Sequence, residues 1–295
     1  MHISIHINKK SACLGYLVLG IISIVGIILI GVNVIPSSSN VTEECLDLPI
    51  LMYHGILKNP KKQKRFIVTE STFESDLKYL NDNGYNTIFM NDLVDYVYND
   101  KKLPNKPIII TFDDGYYNNY LYAFPLLKKY KCKMVLSPIG ICVDQYSENG
   151  DKNPNYAHVS WDDINEMIKS GYVEIQNHTY NMHKNSCGRN GCKKKRGETP
   201  AVYRGVLIED VMKAQDEIIE NTGTTPTTFT YPFGAVSNAS VQILKEMGFR
   251  ATLGCENKMN KIYKNNKDCL YGLRRYIRPG GISTKEYFEN KIKLN

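Results

Sequence analysis

Two aspartates and two histidines in this sequence have the side-chain chemistry and the positions along the chain that a metal site requires. Asp113 and Asp114 end the apolar run "KPIIITFDD", and His178 and His183 lie in "VEIQNHTYNMH". Residues on one face of a helix are four apart and those on one face of a strand are two apart, so a spacing of five fits neither. The two imidazoles therefore converge only if the chain turns between them.

Carboxylate oxygen and neutral imidazole nitrogen are the ligands of mononuclear hydrolytic metal sites. We expect Asp114, His178 and His183 to bind a divalent metal ion, with Zn²⁺ as the first choice and Co²⁺ or Ni²⁺ as alternatives. Two successive residues at a strand end cannot both face one metal, so Asp113 remains free to act as a general base on water. A lone DDG is typical of a solvated turn, and a lone histidine pair is typical of a surface. Their occurrence at equivalent strand ends favours the site.

The surrounding sequence alternates short apolar runs with helical segments. An apolar helical end, a Gly-aromatic step and a short apolar run recur three times, with Gly84, Gly171 and Gly248 where a helix ends in the left-handed conformation. This alternation predicts an α/β fold whose parallel strands are buried on both faces, in a closed barrel or an open doubly wound sheet. In either fold, functional groups gather at the carboxyl ends of the strands. The predicted strands are 49–54, 86–90, 107–112, 133–138, 173–177, 227–232, 251–254 and 274–278, and the predicted helices are 72–83, 92–99, 117–129, 161–169, 207–221, 238–247 and 284–292.

The first part of the chain differs in composition. Residues 13–35 form 23 consecutive residues without a charge, which is long enough to span a bilayer as a helix. Lys9 and Lys10 precede this run, so the positive-inside tendency predicts a cytoplasmic N-terminus and an extracytoplasmic remainder. A cleaved signal peptide and a buried core helix are the alternatives. The predicted organisation is a cytoplasmic segment 1–12, a single-pass transmembrane signal-anchor 13–35, a linker 36–48 and a catalytic domain 49–295.

Charge and cysteine content limit the function further. Lys9 and Lys10 are the only charges before Glu43, so a chain of net charge +7 has +5 beyond residue 42. That mild excess suits an anionic cell wall or membrane surface, and the sequence lacks the basic-aromatic platform of a nucleic-acid-binding protein. An exported location permits disulfide bonds, and Cys187–Cys192 and Cys255–Cys269 are candidate local pairs.

Three motifs, in order, resemble a known family. "TFDDG", "HTYNMH" and "YPFG" are similar to those of the NodB-type polysaccharide deacetylases, carbohydrate esterase family 4, and "PILMYHGI" resembles its extracellular branch. The resemblance covers roughly residues 49–280. It implies a distorted (β/α) barrel of seven or eight strands, the NodB homology domain. It also implies metal-dependent hydrolysis of N-acetyl groups on a polysaccharide of the cell wall or extracellular matrix, peptidoglycan or poly-N-acetylglucosamine.

The resemblance assigns a role to each matching residue. Asp113 corresponds to the general base, and Asp114, His178 and His183 to the metal ligands. Tyr231, Pro232 and Phe233 correspond to the groove wall, with the Phe233 amide as oxyanion donor.

Two family features are missing locally. No histidine follows His183 to supply the general acid, and His54 at the end of the first strand is the candidate replacement, with a structural histidine as the alternative. A catalytically weak carbohydrate-binding protein and an O-acetyl esterase are therefore the competing functions. The arginine that braces the base is also absent from its usual motif, and the candidates to replace it are Arg204, Arg274, Arg275 and Arg278.

Overall fold

A computed structural model describes His2 and residues 45–294. The predicted anchor 13–35 and most of the predicted linker lie outside the described residues. Residues 45–294 belong to one compact unit. Within that range, no helix combines the length and the apolar composition needed to cross a bilayer.

The described residues alternate strands and helices as the sequence predicted. The strands are β1 (Cys45–Leu48), β2 (Ile50–Tyr53), β3 (Gly55–Leu57), β4 (Ile67–Thr69), β5 (Asn86–Thr87), β6 (Pro107–Asp114), β7 (Met134–Pro138), β8 (Val173–Ile175), β9 (Asn185–Ser186), β10 (Arg189–Asn190), β11 (Thr228–Thr230), β12 (Ala251–Leu253), β13 (Asn260–Tyr263) and β14 (Tyr276–Ile277). The α-helices are α1 (Glu70–Asp82), α2 (Met90–Tyr98), α3 (Phe124–Tyr130), α4 (Gly140–Asn149), α5 (Trp161–Lys169), α6 (Pro200–Thr222) and α7 (Asn238–Glu246). Short 3₁₀ turns occupy Pro60–Lys62, Pro232–Gly234 and Lys267–Leu270, and π-helical turns occupy Asn119–Ala123 and Glu286–Lys291.

Parallel strands form a ring. One sheet has the order β14-β2-β6-β7-β8, and β11 pairs with β12 separately. Single parallel bridges join the two sheets: Asn177, just after β8, pairs with Phe229 of β11, and Leu253 of β12 pairs with Leu273, just before β14. The ring therefore closes through isolated bridges rather than through continuous ladders, which makes it a distorted barrel.

Strand β6 shows why this sequence prefers a buried parallel strand. All eight of its residues are buried. Ile108, Ile110 and Phe112 pack in the large cluster that includes helix α1, whereas Ile109 belongs to a different cluster. Because side chains alternate between the two faces of a strand, Asp113 lies on the Ile109 face, inside the barrel.

The helix ends agree with the prediction at the recurring glycines. Gly84, Gly171 and Gly248 have φ of 74°, 77° and 94°, which is the left-handed region that glycine adopts without steric cost.

Several elements differ from the predicted ones. Strands β3, β4, β9, β10 and β13 were not predicted, and helix α6 begins at residue 200 rather than at residue 207. Helix α4 was not predicted, and residues 45–48, assigned to the linker, form β1, which pairs antiparallel with β13. The folded domain therefore begins before residue 49.

The expected disulfide pairs do not form, since Cys187, Cys192 and Cys255 are all free thiols. Cys187 is exposed at the turn between β9 and β10, whereas Cys192 is fully buried. Cys255 Sγ lies 3.8 Å from Arg275 Nη2, and Cys269 Sγ lies 3.8 Å from the Tyr263 carbonyl oxygen. The members of each pair thus have different surroundings, and both predicted pairs are wrong.

Candidate active site

The carboxyl ends of the barrel strands converge on one cleft, with a volume of about 630 Å³. His54 follows β2 directly, Asp113 and Asp114 end β6, and His178 comes three residues after β8. His183 and Phe233 line the same cleft from the loops that follow. The structure therefore brings together residues that are far apart in sequence, at the face where an α/β barrel carries its functional groups.

Three of these side chains form a cluster suited to a metal ion. Oδ1 of Asp114 lies 3.5 Å from Nε2 of His178 and 3.3 Å from Nε2 of His183. The three candidate ligand atoms lie within 4.8 Å of one another. Oδ1 of Asp114 is buried and has no hydrogen-bond partner, which is costly for a carboxylate unless a cation neutralises it. The donor set and the unpaired oxygen both fit a divalent metal.

Hydrogen bonds behind the cluster fix the direction of the ligand atoms. Nδ1 of His178 lies 2.8 Å from the Thr230 carbonyl oxygen, so it donates its proton there and Nε2 keeps its lone pair for the cluster. Nδ1 of His158 lies 2.9 Å from the carbonyl oxygen of Asp114 and donates to it. Both contacts hold a ligand residue from outside the cleft.

The backbone in the site adopts unusual conformations. Asp114, Thr179 and Phe233 have φ of 70°, 71° and 57°, a region that costs most non-glycine residues free energy. Successive side chains of a regular strand point to opposite faces, so the left-handed backbone at Asp114 marks a departure from the strand where both adjacent carboxylates reach one cleft. Gly115 continues the turn with φ of 75°, and a Cβ atom on it would lie 2.6 Å from Cβ of Pro138. The turn after β6 therefore requires glycine at that position.

Asp113 pairs with an arginine from the far end of the chain. Arg275 Nη1 donates to Oδ1 at 2.6 Å and Nη2 donates to Oδ2 at 2.8 Å, in a bidentate ion pair that is fully buried. Burial alone raises the pKa of Asp113, but the Arg275 guanidinium outweighs it and the pKa is lowered below its usual value. Arg275 is itself held by the Gly254 carbonyl and the Thr111 hydroxyl. Asp113 is thus ionised and fixed in orientation.

The electrostatics of Asp114 differ from those of Asp113. Burial raises the pKa of Asp114, but the neighbouring His178 imidazole lowers it further than burial raises it. Reciprocally, burial lowers the pKa of His178 while Asp114 and Asp113 raise it, and the net pKa is raised. Asp114 and His178 thus each stabilise the charged form of the other.

His54 lies in the cleft with an unused ring nitrogen. Its Nδ1 is buried without a hydrogen-bond partner, and the ring lies 4.7 Å from the ring of Phe66. Burial lowers the pKa of His54, while the charges of Asp113 and Asp114 raise it, and the net pKa is lowered. The imidazole is therefore placed to exchange a proton with a group in the cleft.

The "YPFG" segment reaches the cleft through one residue only. Phe233 is 48% exposed and its ring lies 4.3 Å from that of His183. Tyr231 is fully buried, with its hydroxyl 2.8 Å from Ser240 Oγ, and it packs against Phe229 on the same strand face. Pro232 is also buried. The expectation that Tyr231 and Pro232 line the groove is therefore not met, because their side chains belong to the core beneath it.

Sequence reasoning missed several residues of the site. Arg275 was one of four candidates, and no local signal could select it because 162 residues separate it from Asp113. His158 lies in none of the three motifs, and its contact with the Asp114 backbone depends on a loop whose path the sequence does not reveal. Phe66 carries no motif and becomes visible only from its position at the cleft.

Comparisons with known proteins agree with this geometry. Residues 100–252 match the family described as Polysaccharide deacetylase. The chain is 25% identical over 262 residues to a poly-beta-1,6-N-acetyl-D-glucosamine N-deacetylase of Escherichia coli (strain K12), over 83% of this chain and 38% of that protein. It is 26% identical over 234 residues to a protein of the same name from Staphylococcus aureus (strain MRSA252), over 79% of this chain and 73% of the relative. The chain therefore spans well under half of the E. coli relative.

A solved structure confirms the fold. The chain superposes on a de-N-acetylase from Aggregatibacter actinomycetemcomitans with a TM-score of 0.68 at 24% identity, over 83% of this chain and 98% of the other. The NodB-type barrel implied by the motifs is thus the fold of this chain.

Proposed function

The chain belongs to the polysaccharide deacetylase family, and from that premise we propose that it hydrolyses N-acetyl groups on an extracellular N-acetylglucosamine-containing polysaccharide. The observation that carries the proposal is the pairing in one cleft of an ionised, arginine-braced Asp113 with the cluster of Asp114, His178 and His183. Relatives named poly-beta-1,6-N-acetyl-D-glucosamine N-deacetylase support a substrate of that type. Peptidoglycan is the second polymer to test.

Asp114, His178 and His183 would hold the divalent ion, with Zn²⁺ as the first choice and Co²⁺ or Ni²⁺ as alternatives. When bound, such an ion supplies positive charge that polarises the acetyl carbonyl and stabilises the negative charge that develops on its oxygen. The chain supports the ligands by the hydrogen bond from His178 Nδ1 to Thr230 and by that from His158 to the Asp114 carbonyl.

Asp113 takes the proton from the attacking water. Its pKa is lowered, so the carboxylate is ionised at neutral pH, and the bidentate contact with Arg275 fixes the direction in which its oxygens accept. The water oxygen bonds to the acetyl carbon, the carbon–nitrogen bond breaks, and acetate and an amine are formed. We assign to His54 the proton that the departing nitrogen gains, since its ring lines the same cleft. Because the pKa of His54 is lowered, the protonated form that donates is most populated on the acid side of neutral pH.

Phe233 closes the cleft beside the ligands. Its ring lies 4.3 Å from the ring of His183, its backbone is left-handed, and its amide is the proposed oxyanion donor.

The test measures acetate release by the full chain after metal removal and after addition of Zn²⁺, Co²⁺ or Ni²⁺. Substrates are poly-N-acetylglucosamine, peptidoglycan and an O-acetylated glycan of matched length. We expect metal-restored release from an N-acetylated polymer, and loss of release in Asp113→Asn. Metal binding without acetate release from any N-acetylated polymer would overturn the proposal in favour of a carbohydrate-binding protein, and release from the O-acetylated glycan alone would indicate an esterase.

We also propose that residues 13–35 anchor the chain in the membrane and place the catalytic domain outside the cytoplasm. The support is the uncharged 23-residue run preceded by Lys9 and Lys10. Protease added to intact cells should degrade the domain while leaving a cytoplasmic marker protein intact. Protection of the domain in intact cells would contradict the proposed topology.

A further inference from the structure

A rigid turn with two cations borders the cleft. Lys64 and Ile67 exchange backbone hydrogen bonds of 3.0 and 3.1 Å, so Arg65 and Phe66 form the tip of a two-residue turn. We call residues 64–67 the basic turn. All four of its side chains line the cleft that holds the Asp113 and Asp114 carboxylates.

The barrel holds the basic turn from two sides. The Gly55 amide donates to the Phe66 carbonyl at 3.0 Å, and the Gly280 amide donates to the Lys64 carbonyl at 3.0 Å. The fit is close, since a Cβ atom on Gly280 would lie 2.2 Å from the Ile67 carbonyl oxygen. A recognition element that is fixed before binding loses less conformational entropy when a ligand binds.

The cations of the basic turn have no acidic partner. Lys64 and Arg65 are exposed, and neither takes part in an ion pair within the described part of the chain. Among residues 45–294, the carboxylates that line the cleft are Asp113 and Asp114. Asp113 is paired with Arg275, and Asp114 faces two imidazoles. The positive charge of Lys64 and Arg65 is therefore available to a ligand.

The other side of the cleft also carries positive charge. A second depression shares Phe233 and Cys255 with the cleft and is bordered by Lys193, which forms no ion pair among the described residues. Its one carboxylate, Glu256, is paired with Arg274. A chain lying through both depressions would meet unpaired positive charge on each side of the metal cluster.

We propose that the basic turn recognises a negatively charged substituent, a carboxylate or a phosphate, on a sugar next to the one that loses its acetyl group. Arg65 and Lys64 supply the opposite charge, and the Phe66 ring, 5.4 Å from the Arg65 guanidinium, supports Arg65 at the edge of the cleft. The inference rests on the proposed deacetylase function and specifies its substrate. It also has a consequence for the product, because the amine left by deacetylation is a cation and is disfavoured beside the basic turn.

The test compares kcat/KM of the full chain on three glycans of matched length. The first is a neutral N-acetylglucosamine oligomer, the second a peptide-free glycan with a carboxylate on alternate sugars, and the third a 6-phosphorylated N-acetylglucosamine oligomer. We expect one charged glycan to be preferred by about fivefold at low salt, the size of one exposed ion pair, and the preference to fall as salt is raised. The identity of the preferred glycan shows whether the recognised substituent is a carboxylate or a phosphate.

The variant that tests the assignment is Arg65→Gln, in which the ratio of kcat/KM for charged over neutral glycan should fall towards one. Lys61→Gln is the matched control, since it removes the same charge from an exposed residue of the same loop that does not line the cleft. It should keep the wild-type ratio.

Equal kcat/KM on neutral and charged glycans, or an unchanged ratio in Arg65→Gln, would overturn the inference while leaving the deacetylase function intact. If no glycan releases acetate, the proposed function fails instead, and calorimetric binding of the same three glycans decides the inference. Tighter binding of a charged glycan that Arg65→Gln removes would support it, and equal binding of all three would overturn it.

Discussion

Asp113 and Asp114 are adjacent in sequence yet are neutralised by different groups. Arg275 forms a bidentate ion pair with Asp113, and Asp114 faces two imidazoles with an oxygen that has no other partner. Successive strand residues point to opposite faces, and the left-handed φ of Asp114 departs from that regular strand where both carboxylates reach the same cleft. In the proposed mechanism one carboxylate is the base and its neighbour a ligand, from a dipeptide that on its own is typical of a solvated turn.

The pH profile should report the Arg275 contact. Burial alone raises the pKa of Asp113, and the guanidinium lowers it. In Arg275→Gln the lowering contribution is lost, so the pKa rises and the base becomes protonated at a higher pH. The acid limb of kcat/KM should therefore move to higher pH than in the wild type, as measured by acetate release across the pH range.

Arg278→Gln is the matched control for that experiment. Arg278 forms a buried ion pair with Asp76 away from the cleft, so its loss destabilises the fold by a similar mechanism. Arg278→Gln should leave the acid limb of the kcat/KM profile at the same pH as in the wild type. A shift of equal size in both variants would show that general destabilisation, rather than the contact with Asp113, moves the profile.

Replacement of His54 should depend on the leaving group. Loss of a general acid typically lowers the rate by about 10²–10⁴-fold, and the effect is largest when the departing amine is strongly basic. His54→Ala should therefore lose much more activity on a sugar acetamide than on an aryl acetamide, whose weakly basic amine departs with less protonation. Equal losses on the two substrates would assign His54 a structural role at the barrel rim.

At the scale of single residues, sequence reasoning fails where two residues in contact are far apart in the sequence. The clustering of Asp114, His178 and His183 was predictable because each lies within a short motif at or just after a strand end. The Asp113–Arg275 pair was not, because the choice among four arginines depends on how the barrel closes. Tyr231 was assigned to the groove, whereas the strand alternation of β11 directs it into the core beside Phe229.

At the level of elements, every predicted strand has a counterpart in the structure, and the predicted helix 161–169 has the observed bounds. Short apolar runs that follow a Gly-aromatic step are strong signals of a strand, because a buried parallel strand needs apolar residues on both faces. Helix α4 was missed because its N-cap, Ile139, makes no side-chain hydrogen bond and so leaves no capping signal in the sequence.

The turn after β6 should tolerate no side chain at Gly115. Gly84→Ala is the matched comparison, since Gly84 has a φ of 74° with nothing within 4 Å of its Cβ position, whereas Gly115 has a φ of 75° and meets Pro138 at 2.6 Å. Gly84→Ala should cost about 1–2 kcal/mol of unfolding free energy from backbone strain alone. Gly115→Ala should cost about 1–3 kcal/mol more from overpacking, as measured by urea denaturation.

Metal affinity provides a second measurement on the same pair. Gly115→Ala displaces Asp114 and should weaken Zn²⁺ binding, whereas Gly84→Ala should not alter it. Equal unfolding free energies for the two variants would show that the β6 turn can move away from Pro138 without cost.

At the level of the whole molecule, the barrel closes through single bridges and its site is assembled from distant segments. Asp114 ends β6, while His178 and His183 come from the loop after β8, with β7 between them in the sheet. A metal bound to all three would therefore connect strands that are not neighbours. Its binding free energy would stabilise the folded barrel and not the unfolded chain.

Thermal unfolding should show this linkage without any substrate. At a free Zn²⁺ concentration of 100 times Kd, the expected stabilisation is about 2.7 kcal/mol, which for a domain of this size raises Tm by about 5–10 °C. His183→Ala removes one ligand and should abolish most of the rise, whereas Asp113→Asn removes the base but keeps the ligands and should retain it. A rise that survives in His183→Ala would place the metal elsewhere in the chain. If Zn²⁺ does not raise the Tm of the wild type, metal binding by the cluster is contradicted, and with it the proposed chemistry. The fold and the family assignment would not be affected.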